Sequence, residues 1–335
     1  MMEKKYTIRD IARLAGVTPT TVSKIINDTG NISEETKNKV RQIIAETGYR
    51  PSFSAKALAS RKSKLIGVII GGRYNVGFTH PFFSMILNNF KDIIAAMGYD
   101  FIFFSENSDY VERCRYYNVA GCLIISGDHR DKGSRALDRS GIPTVGVDME
   151  LTGNKSSYVM TDNFLLAEEV VRHAWENSIR SAAFIGGNKS SYITVQREAG
   201  FRRAMQKYQM EVKEEWVEYG DYFDQSGYAC MRRILKKKAR PELVFACSDF
   251  MALGAIEAIK DCGLDVPGDI SVIGCDDIDA GRFSSPKLTT AGQDKEQIGQ
   301  WAAELLLDLI EKDQPGRGVL VEPKLMLRDS CVSRI

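Results

Sequence analysis

The sequence predicts a small all-α headpiece at the N-terminus, followed by a larger α/β body. Two short amphipathic segments around a glycine, within residues 7–27, predict the helical part. Apolar, strand-like runs that alternate with amphipathic helical segments from residue 65 onward predict two doubly wound parallel sheets. A split of charge along the chain separates the same two parts.

The first element is predicted to be a helix, a turn and a second helix. Thr7 and Asp10 have the spacing of a capping box. Gly16 permits a tight turn, and Thr18 followed by Pro19 is a typical helix start. The outer face of the second helix carries short hydrogen-bonding groups, one cation and no acidic residue: Thr20, Thr21, Ser23, Lys24 and Asn27. Such a face favours a polyanionic partner, so we interpret the unit as a DNA-reading helix-turn-helix. An ordinary helical hairpin is the alternative.

The charge distribution supports the DNA interpretation. Residues 1–64 contain 13 Lys and Arg against 6 Asp and Glu, a net charge of +7. The remaining residues contain 32 basic and 38 acidic side chains, a net charge of −6, so the whole-chain value of +1 conceals the split. A basic N-terminal part on an acidic body indicates that phosphate binding belongs to the N-terminal part alone.

A third helix and a basic segment follow. Ser33 is predicted to cap the helix and Gly48 to end it, with Val40, Ile43 and Ile44 closing a three-helix core. Residues 51–64 then begin with a proline and carry too little apolar surface to fold alone. Two interpretations stay open. The segment is a disordered linker, or it is a hinge that becomes helical on DNA, with Leu58 as an apolar wedge in the minor groove beside Lys56.

The body is predicted to contain more than one sheet. Its strand-like runs lie at residues 65–70, 100–104, 121–126, 144–148, 181–187, 243–247 and 270–275. Residues 65–335 are too many for one comfortable sheet, so two sheets are expected.

Other protein classes have little support. No apolar run approaches the ~20 residues that span a membrane, and MMEKKYTIRD contains no hydrophobic signal core. The seven cysteines lack CxxC spacing and the three histidines form no metal-ligand pattern. We therefore expect a cytoplasmic protein with reduced cysteines, no metal and no cofactor.

An enzyme is also disfavoured. The Gly-Gly pairs at 71–72 and 186–187 do not extend to either phosphate-binding motif. Asp276 and Asp277 could form an acid pair, but adjacent residues at a strand end point in different directions, and one is expected to cap a helix.

Several segments together resemble one family. YTIRDIARLAGVTPTTVSKIIN and YRPSFSAKALA are followed, in order and at matching spacing, by family-like stretches at 240–256, 263–278 and 285–293. Over nearly its whole length the chain resembles the LacI/GalR family of bacterial transcription regulators. The resemblance implies a periplasmic-binding-protein-like body of two lobes, with three crossovers near Thr161, Gln293 and Leu320 and a ligand between the lobes. The implied division is a headpiece 1–50, a hinge 51–64, an N-lobe 65–160 and 293–320, and a C-lobe 161–292 and 321–335.

The resemblance also assigns roles on DNA. By position, Pro19, Thr20 and Lys24 contact bases, and Lys24 reaches guanine acceptors. Phosphate contacts fall to Thr18, Thr21, Ser23 and Asn27.

In the implied cleft, Arg197 matches the arginine that clamps the effector, although a surface helix arginine is the alternative. Asp276 matches the aspartate that accepts hydrogen bonds from effector hydroxyls. Asp249 stands at the family's Asn-Asp position with Ser248 in place of asparagine, so Asp249 is expected to cap a helix while Ser248 faces the pocket.

Further candidates are aromatic or lie on the rim. Phe82, Phe83 and Tyr222 could stack on a sugar face or a planar base, or could line the core instead. Tyr192, Asp148 and Ser126 are placed on the same rim. The guanidinium donors of Arg197, the carboxylate acceptor of Asp276 and the aromatic rings together favour a sugar over a purine.

Two departures from the family pattern affect the N-lobe. Residues 71–83 are longer than usual, with His80 where asparagine is common, and residues 105–121 are shorter. No leucine-heptad tail follows the last predicted strand, so a homodimer is expected.

These observations predict a cytoplasmic, sequence-specific transcription regulator and repressor that binds a pseudo-palindromic operator as a homodimer. A small, sugar-like effector between two lobes would control it. The alternative is a solute-binding protein of a transporter, which would need a signal peptide and has no use for a basic headpiece.

Overall fold

A computed structural model of the chain describes residues 6–50, 63–71, 80–104, 109–125 and 131–332. The chain forms two compact units, Met1–Lys64 and Leu65–Ile335. We call them the headpiece unit and the body.

The headpiece unit contains three helices, α1 (Ile8–Ala15), α2 (Pro19–Ile26) and α3 (Glu34–Thr47). The predicted caps are present: Thr7 and Asp10 form a full capping box, and Thr18 accepts a hydrogen bond from the Thr21 amide. Gly16 ends α1 with a φ of 69°, a left-handed conformation in which a side chain would be strained. The core is centred on Ile11, Val22, Ile25 and Val40. This arrangement is a helix-turn-helix with a supporting third helix.

The first sheet of the body belongs to the lobe that we call the N-lobe. Its strands are arranged in the order β11-β5-β4-β3-β1-β2, and every neighbouring pair is parallel. The elements in chain order are β1 (Leu65–Ile70), α4 (Pro81–Ala96), β2 (Asp100–Phe103), α5 (Tyr110–Tyr116), β3 (Gly121–Ile125), α6 (Lys132–Asp138), β4 (Thr144–Val147) and β5 (Ser156–Thr161).

The second sheet belongs to the C-lobe and has the order β12-β10-β9-β8-β6-β7, with only β12 antiparallel to its neighbour. Its elements begin with α7 (Asn163–Glu176), β6 (Ala182–Gly186), α8 (Tyr192–Lys207), a 3₁₀ turn (Glu214–Trp216), β7 (Val217–Tyr219) and α9 (Asp224–Leu235). They continue with β8 (Leu243–Ala246), α10 (Asp249–Lys260), β9 (Ser271–Asp276), α11 (Asp279–Phe283) and β10 (Thr289–Gly292).

The chain passes between the lobes three times. It leaves β5 for α7 at Asp162, and it leaves β10 at Gln293 for α12 (Lys295–Glu311), which packs on the N-lobe. It then forms β11 (Gly318–Val321) beside β5 and crosses at residues 322–323 to β12 (Lys324–Met326) beside β10. Leu320 itself lies inside β11.

Helices cover both faces of the N-lobe sheet. Since successive side chains of a strand point to opposite faces, neighbouring residues pack against different helices. Leu123 and Ile125 of β3 pack with α4 and α12, whereas Cys122 and Ile124 pack with α5 and α6. The C-lobe has a single larger core that includes Phe184, Phe201 and Phe245. The predicted fold class, a helical headpiece and a two-lobed α/β body, is confirmed.

The segment before β3 differs from a uniform alternation of strands and long helices. The short segment before β3 holds the seven-residue helix α5, while residues 105–108 lie outside the described ranges. Of the described helices, none has the length and apolar character needed to cross a membrane.

Candidate functional site

The outer face of α2 is open to solvent within the headpiece unit. Pro19, Thr20 and Lys24, the predicted base contacts, are exposed, and so are Thr18 and Asn27. Thr21 and Ser23 are half-buried. The aliphatic part of Lys24 packs over Gly30, where an added Cβ would lie 3.2 Å from Lys24 Cδ. The face therefore presents one supported cation among small polar groups.

Local hydrogen bonds already use part of the polar capacity of this face. The hydroxyls of Thr18 and Thr21 are 2.9 Å apart and share a hydrogen bond. Asn27 donates from Nδ2 to the Ser23 carbonyl over 2.9 Å. Phosphate contacts by these four residues remain a prediction. Lys56 and Leu58, predicted for the hinge, lie outside the described residues.

A cavity of about 470 Å³, including solvent space at its mouth, lies between the lobes of the body. Part of its lining lies at the carboxyl ends of β4, β8, β9 and β10, as expected for open α/β sheets: Asp148, Cys247, Asp276 and Gln293. Six of the predicted residues line it: Phe82, Phe83, Asp148, Arg197, Tyr222 and Asp276. The other lining residues are His80, Ser191, Ile193, Cys247 and Gln293.

Arg197 is buried in the cavity wall and not on a helix surface. It comes from α8, and its guanidinium donates from Nε to Asn163 Oδ1 over 2.8 Å and from Nη1 to the Cys247 carbonyl over 2.9 Å. These bonds hold the guanidinium plane against the ends of α7 and β8. Arg197 therefore supplies positive charge to the cavity, but part of its donor fork is already occupied.

Asp276 is the last residue of β9 and is buried. Its Oδ1 accepts a hydrogen bond of 2.7 Å from Gln293 Nε2, and Gln293 in turn accepts one of 2.6 Å from Thr161 Oγ1. The ammonium of Lys295 donates to the Asp276, Asp277 and Gln293 carbonyls. Asp277 does not cap a helix; it pairs with Arg282 and Arg328. The Asp276 carboxylate is thus oriented from the crossovers themselves.

Three buried side-chain atoms of the described residues make no hydrogen bond, and all three belong to cavity residues: His80 Nδ1, His80 Nε2 and Asp148 Oδ1. Buried polar atoms are almost always paired, so unpaired ones need an explanation. Burial raises the pKa of Asp148 to about 7, against the opposing effect of Arg197. Burial lowers the pKa of His80, which favours a neutral imidazole near pH 7.

Three of the residues that line the cavity have a strained backbone. Asp148, Tyr222 and Asp276 have φ values of 56°, 76° and 123°, which non-glycine residues rarely adopt. Each such residue costs roughly 1–3 kcal/mol and persists where the surrounding structure holds it, often at a binding site.

Aromatic rings form part of the wall. Phe82 is buried and its ring centroid lies 5.0 Å from that of Phe83. The Tyr222 hydroxyl shares a hydrogen bond of 2.8 Å with Thr194, and its ring lies where a Cβ on Gly187 would come within 2.1 Å. Phe82 therefore serves the N-lobe core as well as the cavity.

Four predicted residues are not among those lining the cavity. Ser248, and not Asp249, caps α10: its Oγ accepts from the Met251 amide and donates to the Tyr222 carbonyl. Asp249 is fully buried, where it accepts from Thr290 Oγ1 and the Ile278 amide. Tyr192 donates to Glu150 over 2.5 Å. Ser126 lies outside the described residues.

Five lining residues were missed as site residues. His80 stood out in the sequence only as a departure from a pattern, and Gln293 only as a crossover. Ser191 and Cys247 follow β6 and β8, so their position after buried strands was the signal that could have found them. Among the described residues, no group of three or more His, Cys, Asp or Glu could hold a metal ion.

Comparisons with known proteins agree with this architecture. Residues 7–52 match the family described as "Bacterial regulatory proteins, lacI family", and residues 171–331 match a periplasmic binding protein-like domain. The HTH-type transcriptional regulator MalR of Clostridium butyricum is 32% identical over 97% of this chain and 98% of its own length. The HTH-type transcriptional repressor PurR of Serratia proteamaculans is 34% identical over 97% of this chain and 96% of its own.

Solved structures give the same result. The Lac repressor dimer bound to operator and the anti-inducer ONPF aligns with a TM-score of 0.85 at 26% identity, over 98% of this chain and 100% of that one. The transcriptional regulator CelR in its cellobiose complex aligns with a TM-score of 0.74 at 30% identity, over 97% and 100%. Together with the helix-turn-helix and the two-lobed body, these matches show that the chain belongs to the LacI family and is a DNA-binding transcription regulator.

Proposed function

We propose that this regulator is a repressor whose operator binding is controlled by a sugar-like molecule in the cavity between the lobes. One observation carries the proposal: the cavity joins charged groups of the C-lobe, Arg197 and Asp276, to His80 and Asp148 of the N-lobe. A ligand that contacts both sets stabilises one angle between the lobes over others.

The ligand class follows from the lining. Arg197 offers donors, Asp276 and Asp148 offer acceptors, and the rings of Phe83 and Tyr222 offer apolar faces. Sugars present both hydroxyls and an apolar ring face, so they use all three kinds of group. CelR and the Lac repressor, with which this chain aligns, were solved with cellobiose and with the anti-inducer ONPF, respectively.

On the DNA side, we propose that two copies of the chain place α2 in successive major grooves of a pseudo-palindromic operator. Pro19, Thr20 and Lys24 would read bases there, while Thr18, Thr21, Ser23 and Asn27 hold phosphates. The regulator would act in the cytoplasm, where its DNA lies, and would have no catalytic role.

The test starts by selecting bound sequences from a random DNA pool with the full chain. Operator affinity is then measured by fluorescence anisotropy, with and without each member of a panel of mono- and disaccharides and purines. The proposal expects an enriched palindrome and at least one sugar that changes the affinity tenfold or more. A response to purines alone would contradict the sugar assignment, and failure to enrich any sequence would contradict specific operator binding.

A further inference from the structure

The unpaired atoms in the cavity lie on one side of it. His80 precedes α4 and Asp148 follows β4, so both belong to the N-lobe. The C-lobe groups that face them are partly satisfied: Asp276 accepts from Gln293, and Arg197 donates to Asn163 and to the Cys247 carbonyl. The unmet hydrogen-bonding capacity of the cavity is therefore concentrated in its N-lobe wall.

His80 also reaches across to the other lobe. Its Nε2 lies 3.9 Å from Asp276 Oδ2, beyond hydrogen-bond distance. Its ring contacts Phe223 and Phe250 of the C-lobe, with centroid separations of 5.8 and 5.4 Å. These edge contacts hold the imidazole in place while leaving both nitrogens unpaired. A hydroxyl group inserted beside His80 Nε2 could bond to it and to Asp276 together.

The charges in the cavity are unequal. Asp148 and Asp276 supply two carboxyl groups, whereas Arg197 is the single arginine or lysine among the described residues that line the cavity. The nearby ammonium of Lys295 is bound to three main-chain carbonyls. Among the described lining residues, a phosphate would meet two carboxyl groups and a single guanidinium that already donates to Asn163 and to the Cys247 carbonyl, so its burial at low dielectric is costly.

We propose that the cavity selects a neutral, hydroxyl-rich molecule over its phosphorylated form, and that His80 is the N-lobe residue that binds a hydroxyl group of this molecule. This inference rests on the sugar effector proposed above and narrows its chemistry. A neutral imidazole offers one donor and one acceptor, which matches a hydroxyl group that both accepts and donates. The unpaired oxygen of Asp148 accepts from a second hydroxyl.

The first experiment compares matched pairs. Calorimetry with the full chain at pH 8, where Asp148 is largely ionised, measures the affinity for glucose, ribose, cellobiose and maltose and for a monophosphate of each. The neutral member of any pair that binds is expected to be at least tenfold tighter. Equal or tighter binding of a phosphorylated member would overturn the inference while leaving a sugar-responsive repressor. Binding by no member, with operator binding intact, would overturn the sugar effector itself and this inference with it.

The second experiment tests His80 with the tightest neutral probe. His80→Phe keeps a ring but removes both nitrogens, and it should weaken binding tenfold or more. His80→Gln places an amide near Nε2, and His80→Asn places one near Nδ1, so recovery by one of them to within threefold identifies the nitrogen used. His173→Gln is the control, because His173 is buried in α7, away from the cavity. Unchanged affinity in His80→Phe would contradict the assignment.

A third variant covers the case in which His80→Phe fails to fold. Asp148→Asn keeps the shape of the side chain and removes one negative charge. We expect it to reduce the ratio of the affinities for the neutral and the phosphorylated member of a pair at least threefold. An unchanged preference would show that the charge of Asp148 does not exclude phosphate and would contradict the inference.

Discussion

Gln293 donates a hydrogen bond of 2.7 Å from Nε2 to Oδ1 of Asp276. Its other amide atom, Oε1, accepts from the hydroxyl of Thr161 over 2.6 Å. Thr161 ends β5 at the first crossover and Gln293 starts the second, so one side chain joins an acceptor in the cavity to two of the three connections between the lobes. A ligand that hydrogen-bonds to the Asp276 carboxylate therefore competes with Gln293 for it.

Replacing Gln293 by leucine should therefore affect stability and ligand binding together. The substitution leaves the Thr161 hydroxyl and Asp276 Oδ1 without a buried partner, at a cost of about 1–3 kcal/mol for each group. Urea unfolding measures the stability loss, and calorimetry measures the weakened affinity for the effector. Gln297→Leu, on the exposed side of α12, is the control and should stay within about 0.5 kcal/mol. A Gln293→Leu protein as stable as its control would show that the network contributes little.

Lys24→Ala tests base reading by α2. If Lys24 reaches guanine acceptors, its loss should relax the preference at one symmetric base-pair position per half-site, by roughly 1–3 kcal/mol. The measurement is anisotropy on the selected operator and on single base-pair variants of it. Lys39→Ala removes an exposed cation from α3 and serves as the control. It should lower the affinity for all DNA sequences equally or not at all. Equal weakening of all sequences by Lys24→Ala would identify Lys24 as a phosphate contact only.

Arg197→Ala and Asp276→Ala test the cavity as the effector site. Each removal leaves buried partners unpaired, at about 1–3 kcal/mol, so the response of operator affinity to the effector should be abolished. Operator binding without effector should survive if the effector is an inducer, whereas for a corepressor the operator binding is lost as well. Thermal unfolding checks that each variant is folded. A doubly substituted protein with a normal response would rule out this assignment.

The Asp148 carboxyl predicts a pH dependence of stability. Its pKa is raised from the ordinary 3.8 to about 7 by burial, with Asp276 reinforcing and Arg197 opposing the shift. Between these pH values the folded state holds a proton that the unfolded state has released, so the free energy of unfolding falls as the pH rises. The contribution is a few kcal/mol at most, since each pKa unit corresponds to roughly 1.4 kcal/mol.

Comparison with Asp148→Asn isolates this contribution. The pKa of His80 is lowered and that of Asp249 is raised in both proteins. The contributions of these two groups to the free energy of unfolding therefore largely cancel when the proteins are compared. Urea unfolding at pH values from 4 to 8 should show the wild-type protein losing stability relative to the variant. A difference that is constant over this range would mean that Asp148 is solvated.

Local signals made the headpiece readable from sequence. The Thr7–Asp10 capping box, the turn at Gly16 and the Thr18 cap each depend on residues within one helical turn, and each is present. The apolar strands were readable for a similar reason, because a strand buried on both faces appears as a continuous apolar run.

Two strands inside their sheets were not predicted, because small hydroxyl residues occupy several of their buried positions. In β5 and β10, SSYVMT and TTAG, small hydroxyls bond to neighbouring segments. Ser157 accepts from the Arg317 amide, and Thr289 accepts from the Arg328 amide. Those partners lie 160 and 39 residues away, so no local pattern predicts them. The role of Asp249 was missed for the same reason, since its carboxylate is held by Thr290 and by the Ile278 amide.

Both lobes are completed by segments that are synthesised late, and this affects how the chain folds during synthesis. The N-lobe core needs α12 and β11, and the C-lobe sheet ends with β12, although most of both lobes is made earlier. Ser330 donates to the Val272 carbonyl and accepts from the Thr289 amide, so nearly the last residues close the C-lobe. When residues 1–290 have been synthesised, the headpiece unit has its core, but the N-lobe still lacks α12 and β11 and the C-lobe lacks β12. Until residues 291–332 follow, apolar surface of both lobes stays accessible to chaperones.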